Sequence, residues 1–488
     1  MQSTDLIETF TDKYIDYLHD ESKLTSSSCC SVARPRTIEE LAEVLRIHFA
    51  EKHQITVSGA RTGIVGGAVP SENSHIVSLD RLKGIELLSD RKSVRVLGGS
   101  TLAELAEYLK EHTDEYYFPV DPTEWSASVG GAVATNASGA RSYFYGSMRR
   151  WVKSVVVVLA SGETLKISRG VDLISNSGLE IQTKIPLKKL KSSVGYVIDQ
   201  ELIDLFIGSE GTLGIIAEIE LELAPIPKHR LYSIQGFSEI GNAFKYVDIL
   251  RTDSSLQILA LEFSDFRSLA YASKSAVSKL PRFSSLLEKK PQAVVYTECV
   301  YNSDEEFLEL SEKLINIVDE LQEDVELSIA GCEESDLREM KAFRHAVPEQ
   351  INSVVAKRKE THPMIHKIAT DMAVDNQHLA WVYRLYEERL IAEGLEFAIF
   401  GHIGNNHFHV NILPRDESEL ATAKRCYLDF ASEIVKKNGV VSAEHGIGQL
   451  KKHFLPLQYS PQELSQLKAI KEHFDPFKLL NGSVLLSI

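Results

Sequence analysis

Three stretches of small residues constrain this chain more than anything else in it. They are SGARTGIVGGAVP (58–70), VGGAVATNASGA (129–140) and GSEGTLGI (208–215). Glycine permits positive φ and lets backbone N–H groups approach a ligand closely. Successive N–H groups of this kind form an anion-binding nest. Glycines that merely make turns would account for any one of these loops. Three in one part of the chain point to a large phosphate-bearing ligand. There is no GxxxxGK[ST] and no GxGxxG after a strand, so neither a Walker loop nor a Rossmann fingerprint is present.

The 488 residues exceed one compact domain, and two or three are expected. The early part alternates strand and helix. Thr37 and Glu40 read as a capping box before TIEELAEVLRIHF, and Thr101 with Glu104 as a second. QITVSG, KSVRVLGG and SVVVVLA read as strands, the last turning at Ser161-Gly162 into ETLKI. Residues 167–195 are basic and serine-rich and read as a loop. Pro225 and Pro227 punctuate the chain, which sets a boundary near 227. Beyond it, LQILALEF and AVVYTECV alternate with helical patterns, as in an α+β layer with helices on one sheet. The expected segments are 1–30 (N-terminal and helical), 31–227, 228–427 and 428–488 (helical).

A net charge of −16 argues against nucleic acid as a partner and weakly against an anionic membrane surface. No run reaches the roughly 18–20 apolar residues of a membrane span. The N-terminus lacks the basic start and apolar core of a secretory signal. Five cysteines without a CxxC suggest a reducing cytoplasm, with neither a disulfide framework nor an iron–sulfur cluster in this chain.

GHIGNNHFHVNI (401–412) places His402, His407 and His409 within eight residues. It reads as two strands joined by a two-residue turn, Asn405-Asn406, since asparagine tolerates positive φ. In that register Gly404 opposes His407 and His402 opposes His409. His402 and His409 could then chelate one ion from a single face, with Asn411 continuing that face. Two packed, hydrogen-bonded histidines remain the alternative. Glu444 in SAEHGIGQLKK offers a third, oxygen ligand, and such an N/O set suits Zn or Mn with an open position.

These motifs carry a resemblance. GARTGIVGGAVP, FPVDPTEWSASVGGAVATNASGARSYFYG and DLFIGSEGTLGIIAEIELEL resemble three cofactor stretches of the vanillyl-alcohol-oxidase/p-cresol-methylhydroxylase FAD superfamily. GHIGNNHFHVN is similar to its GHxGDGNLHxN motif and AEHGIG to its EHGIG motif, in the branch of D-lactate, glycolate and D-2-hydroxyglutarate dehydrogenases. The resemblance implies an α+β fold. Its parts would be a two-part FAD-binding domain (31–227), a ferredoxin-like substrate or cap domain carrying the metal-binding hairpin (228–427), and C-terminal helices near the flavin.

The resemblance implies pyrophosphate contacts from Ser58, Gly59, Ala60, Arg61, Thr62, Gly66 and Gly67. Other FAD contacts would come from Pro122, Thr123, Ser128, Val129, Gly130, Gly131, Asn136, Gly139, Glu210, Gly211, Ile216 and Asn481. Arg61 stands where the family usually has glycine. The matched loops hold no His or Cys, so FAD is expected to be non-covalent.

Metal ligands in the family correspond to His402, His409 and Glu444, the catalytic base to His445, and a substrate contact to Asn411. His407 has no family counterpart. A substrate carboxylate calls for a planar cation, for which FRHAVPEQIN offers Arg344; Lys367 is a second candidate. The implied reaction is oxidation of a D-2-hydroxy acid of the D-lactate or glycolate class to the 2-oxo acid, with hydride passing to flavin. The alternatives are a flavin subunit of an electron-transfer complex and a transferase like alkyl-dihydroxyacetone-phosphate synthase, whose histidine run is here AEH. The electron acceptor is left open, a separate iron–sulfur or electron-transfer protein among the choices. Dimerisation is common in the family. The expected location is cytoplasmic, with peripheral membrane association left open.

Overall fold

The computed structural model describes residues 6–324 and 328–486. The chain forms two compact units. The first comprises Met1–Gly139, Gly146–Ile226 and Ser442–Ile488; the second comprises Ala140–Tyr145 and Pro227–Val441. The expected boundary at 427/428 falls inside the helix Glu417–Lys436. That helix buries Leu420, Ala423, Phe430 and Ile434 along one face, so it cannot be divided between units.

The first unit holds a four-stranded and a five-stranded sheet, with a short pair of Tyr116–Tyr117 and Ala224–Pro225 beside them in sequence. In one, Ser31–Ala33, His75–Ser78 and Ile55–Ser58 run parallel, and Ile7–Thr9 adds an antiparallel edge. The expected N-terminal helix is therefore a short strand followed by a 3-10 helix, Asp12–Leu18. Pairing with Ser31–Ala33 takes Ile7–Thr9 into the sheet. The helix Ile38–Ala50 makes the crossover and buries Leu41, Val44 and Leu45 against Ile55 and Val77. Thr37 caps it by accepting from Glu40 N. Glu40 reaches back to Arg36 N rather than Thr37 N, so this expected box is only half formed. Both halves are made at Thr101/Glu104 and at Ser460/Glu463. The second sheet is antiparallel, in the order Ile85–Leu87, Ser93–Leu97, Ile215–Glu222, Val152–Val158, Thr164–Ser168.

The second unit is built on an eight-stranded sheet. Four of its strands, His229–Phe237, Ile258–Asp265, Ala293–Tyr301 and Ser328–Gly331, alternate with helices. Numbered along the chain, they lie in the order fourth, first, third, second. That is the ferredoxin-like arrangement. The hairpin Phe397–His402/His407–Ile412 extends it beyond Ile258–Asp265. One face packs Phe263 and Phe408 against Phe244 and Tyr383 of two helices. The opposite face packs Tyr232, Ile234 and Tyr296 with Phe343 and Val347 of the helix Glu334–Arg358. No helix among the described residues is long and apolar enough to cross a membrane.

The C-terminal segment is pinned from within the first unit. Lys471 Nζ donates to Asp475 Oδ2 at 2.5 Å, Thr212 O at 2.6 Å and Leu480 O at 2.8 Å. Asp475 in turn accepts from Leu479 N and Leu480 N. Both side chains are buried. Removing one partner of a buried pair strands the other charge, at a cost of about 3–5 kcal/mol. Lys471→Ala is expected to lower the urea midpoint by that equivalent with the m-value unchanged; a shift below 1 kcal/mol would show that the pair does not anchor the segment.

Candidate functional site

The glycine loops of the first unit meet at the end of the strand Ile55–Ser58. A Cβ at Gly59 would lie 2.4 Å from Ser128 Oγ, so the first loop touches the second. Ser128 caps the short helix Val129–Ala134 by accepting from Gly131 N at 3.3 Å. Gly130 lets that helix lie on the sheet, since a Cβ there would be 2.8 Å from Gly98 O. The third loop closes on the same strand: a Cβ at Gly211 would lie 2.8 Å from Asn481 Nδ2 and 3.5 Å from Val57. Gly63 and Gly67 face open space. Ser209 Oγ is buried and has no hydrogen-bond partner among the described residues. Bare backbone and an unpartnered buried hydroxyl on converging loops fit a large polar cofactor. Thr62 is half-buried and Thr123 exposed; Ile216 is buried on the strand Ile215–Glu222.

Three expected cofactor residues have side chains engaged within the protein. Asn136 donates to Ser192 O and accepts from Arg149 N. Asn481 accepts from Val57 N and donates to Glu210 O, tying the C-terminal segment to the strand Ile55–Ser58. Glu210 accepts from Ile447 N at 2.8 Å and Gly448 N at 2.7 Å. It thereby holds the turn after His445. Gly446 and Gly448 have φ of +76° and +54°, and a Cβ at Gly448 would meet Val65 O at 2.2 Å. Gln449 Nε2 donates to Gly66 O and Val69 O, each at 2.8 Å. The His445 turn is thus built against the first and third glycine loops.

Glu444 Oε1 accepts from Ser138 Oγ at 3.0 Å and pairs with the buried Lys191 ammonium. Lys191 lies in the basic, serine-rich stretch 167–195, whose composition reads as a solvated loop, yet its side chain is buried.

In the second unit the histidine hairpin departs from the expected register. The connection is four residues, Ile403–Asn406, with Asn406 left-handed at φ 49°. His402 opposes His407, and Phe400 opposes His409. The turn is wider because Arg251 gathers it, donating to Ile403 O, Gly404 O and Asn406 Oδ1. Asn406 Nδ2 also donates to Val374 O and Asn376 Oδ1. The register shifts by two residues, an even number, so all three histidines and Asn411 still share one face.

His402 and His409 ring centres are 5.3 Å apart. Two imidazoles on a tetrahedral ion, with Zn–N near 2.0–2.1 Å, have centres about 5 Å apart. His402 Nδ1 is 2.6 Å from Glu262 Oε1, and His409 Nδ1 is 3.4 Å from Thr370 O. Each ring therefore presents Nε2, the outer-shell pattern typical of metal-ligating histidines. The donor chemistry fits a divalent cation. His407 Nε2 is 3.1 Å from Asp371 Oδ1, with both side chains fully buried.

Glu262 also accepts from Arg344 Nη1 at 2.6 Å. Burial pushes this carboxyl up, but the neighbouring His402 and Arg344 outweigh burial and hold it below its usual range. Asn411 is 2% exposed and its Oδ1 has no partner among the described residues. Ala369 opposes Asn411, so alternation puts Lys367, two residues earlier, on the same side. Burial depresses its ammonium.

Residues 226–484 match the family described as FAD linked oxidases, C-terminal domain, and residues 31–168 match the FAD binding domain. The D-lactate dehydrogenase of Anaerostipes hadrus is 29% identical over 483 residues, covering 96% of this chain and 91% of its own. The D-2-hydroxyglutarate dehydrogenase of Xanthomonas citri pv. viticola is 27% identical, with 96% and 92% covered. Glycolate oxidase subunit GlcD of Bacillus subtilis is 25% identical, with 95% and 90% covered. Among solved structures, p-cresol methylhydroxylase with substrate bound superposes with a TM-score of 0.71 at 14% identity, covering 98% of this chain and 93% of that one. Alkyldihydroxyacetonephosphate synthase gives 0.69 at 15%, covering 98% and 82%. At these identities the structures describe the fold.

Desolvation raises the Glu210 carboxyl to about 7 against the pull of its two N–H donors. The folded protein binds this proton more tightly than the unfolded chain. Its stabilising contribution is therefore full below pH about 4.5 and is lost as pH rises through about 7. Relative to Glu210→Gln, the wild type should lose on the order of 3 kcal/mol across that window. Denaturant unfolding at several pH values reads this out; parallel profiles for the two proteins would contradict it.

Proposed function

The chain belongs to the family of FAD-linked oxidases, and from that premise we propose that it oxidises a D-2-hydroxy acid of the D-lactate or glycolate class to the 2-oxo acid. The observation that carries this reading is the polar face of the second unit's sheet. There a buried carboxylate, Glu262, orients both an imidazole and a guanidinium, and His409 and Asn411 share that face of the sheet. The names of the relatives, D-lactate and D-2-hydroxyglutarate dehydrogenases and a glycolate oxidase subunit, support the substrate class.

Arg344 receives the substrate carboxylate. Its planar fork matches two oxygens, and Glu262 fixes the fork's orientation. Asn411 Oδ1 accepts from the substrate hydroxyl or fixes its rotamer. His445, held by the Gly446–Gly448 turn, removes the hydroxyl proton. Lys367 contributes a second positive group toward the carboxylate. Bound FAD supplies the acceptor for the hydride that leaves Cα. His402, His409 and Glu444 would hold a divalent cation, Zn or Mn, which supplies charge that acidifies an α-hydroxyl.

Of the open electron acceptors, a separate protein is the one that a relative named as a subunit supports. Sparse cysteines without a paired pattern support a reducing compartment such as the cytoplasm.

The test is anaerobic titration of the purified yellow protein with D-lactate, L-lactate, glycolate, D-2-hydroxyglutarate and D-malate. Bleaching near 450 nm by one or more of these, with D-lactate outpacing L-lactate, is the expected result; a flavin that none of them bleaches overturns the proposal. His445→Ala is expected to retain FAD and lose bleaching by at least 100-fold in rate. Arg344→Ala should raise KM more than it lowers kcat. EDTA treatment should abolish bleaching, and Zn or Mn should restore it.

A further inference from the structure

A second histidine cluster lies in the first unit, among residues that the proposed oxidation does not use. His48 ends the helix Ile38–Ala50, His53 precedes the strand Ile55–Ser58, and His75 opens the strand His75–Ser78. Backbone bonds set their spacing: His53 N donates to His48 O at 2.9 Å, and His75 N donates to Gln54 O at 2.8 Å. The ring centres are 4.1, 4.7 and 5.5 Å apart. One nitrogen from each ring falls within 4.8 Å of the other two.

Several features point to a ligand. His48 Nδ1 and His53 Nδ1 are 3.2 Å apart. Two nitrogens on one tetrahedral zinc, at about 2.0–2.1 Å each, are separated by about 3.3 Å. His48 is 1% exposed, and its Nε2 has no hydrogen-bond partner among the described residues. Nδ1 is the nitrogen that faces His53, so an ion would take its lone pair and the ring proton would sit on Nε2. Ser31 Oγ lies 2.7 Å from His75 Nδ1, the outer-shell contact that fixes a ring and leaves Nε2 to a ligand. The nearest lysine in sequence, Lys52, carries its ammonium over the Phe477 ring, 4.7 Å from the centroid.

We propose that His48, His53 and His75 form a second transition-metal site, which takes Zn2+ or a chemically similar ion on three imidazoles with an outer position open to solvent. His53 and His75 are only half-buried, which provides the entry path. The rings of His53 and His75 stack at 17°, so His53, the residue on the connecting loop, turns to complete the set. An ion there would join the end of the crossover helix to two adjacent parallel strands. One of them runs directly into the Gly59 loop.

The test uses full-length, FAD-loaded protein carrying His402→Ala and His409→Ala, which removes the hairpin imidazoles and separates this proposal from the one above. Co2+ is the probe. The expected result is about one equivalent bound by equilibrium dialysis, with visible d–d bands of a nitrogen-ligated ion. Adding Zn2+ should displace it and raise Tm. His53→Ala and, separately, His75→Ala should each abolish the bands while far-UV circular dichroism and flavin content stay unchanged. No Co2+ bound in the parent, or bands that survive both substitutions, overturns the site. Should His75→Ala fail to fold, His53→Ala, at a loop position, decides alone.

Discussion

Burying a carboxylate on a covered face of the sheet is the constraint around which the second unit is organised. Glu262 lies on a strand whose residues are all buried, 4% exposed itself. An isolated charge there would cost several kcal/mol. The fold meets this from two directions. His402 comes from the hairpin strand beside it and Arg344 from the helix that covers the face. Satisfying one group therefore fixes the imidazole's tautomer, the guanidinium's direction and the position of the helix Glu334–Arg358 over the sheet.

Glu210 in the first unit shows the same problem solved differently. It too is buried, but its hydrogen-bond donors are backbone N–H groups of Ile447 and Gly448, which carry no net charge. Neutral donors offset less of the desolvation than an arginine does, so this carboxyl rises to about 7, whereas Glu262 is held low. The difference suits the two tasks. Glu262 orients charged side chains. Glu210 shapes a glycine turn, whose two left-handed residues leave room for nothing larger between it and Val65.

Legibility in the sequence followed the range of the interactions. The glycine loops were readable because their conformational demands are local. The shared face of the histidines was readable because strand alternation is local too, and it survived a two-residue error in the turn. That error arose from Arg251, more than 150 positions away in sequence, which widens the connection by gathering its carbonyls. Glu262 was hidden for the same reason: LQILALEF reads as an apolar strand, and nothing near it names the partners. Lys191 was hidden by composition, since a lysine in a serine-rich basic stretch reads as solvated until Glu444 is found against it. Glu210, Asn136 and Asn481 read from sequence as cofactor contacts, but their side chains bond to the loops themselves.

Arg61 shows how a departure from the resembled pattern is accommodated. Its φ of 61° is left-handed, a conformation that glycine adopts freely and that costs other residues about 1–2 kcal/mol. The guanidinium lies over the Tyr17 ring, 4.4 Å from its centroid. A cation over an aromatic face contributes roughly 0.5–2 kcal/mol depending on exposure, which is enough to offset the strain. Tyr17 is in turn held by its hydroxyl, which donates to Asp80 at 2.5 Å, and Asp80 pairs with Arg34. The 3-10 helix Asp12–Leu18, which carries Tyr17, therefore acts as part of the first glycine loop's support. Where a glycine would have made that loop self-sufficient, the arginine makes it depend on the N-terminal segment. The pairing of Ile7–Thr9 with Ser31–Ala33 and the packing of Tyr14, Tyr17 and Leu18 with Val32 and Ile76 keep that segment in place.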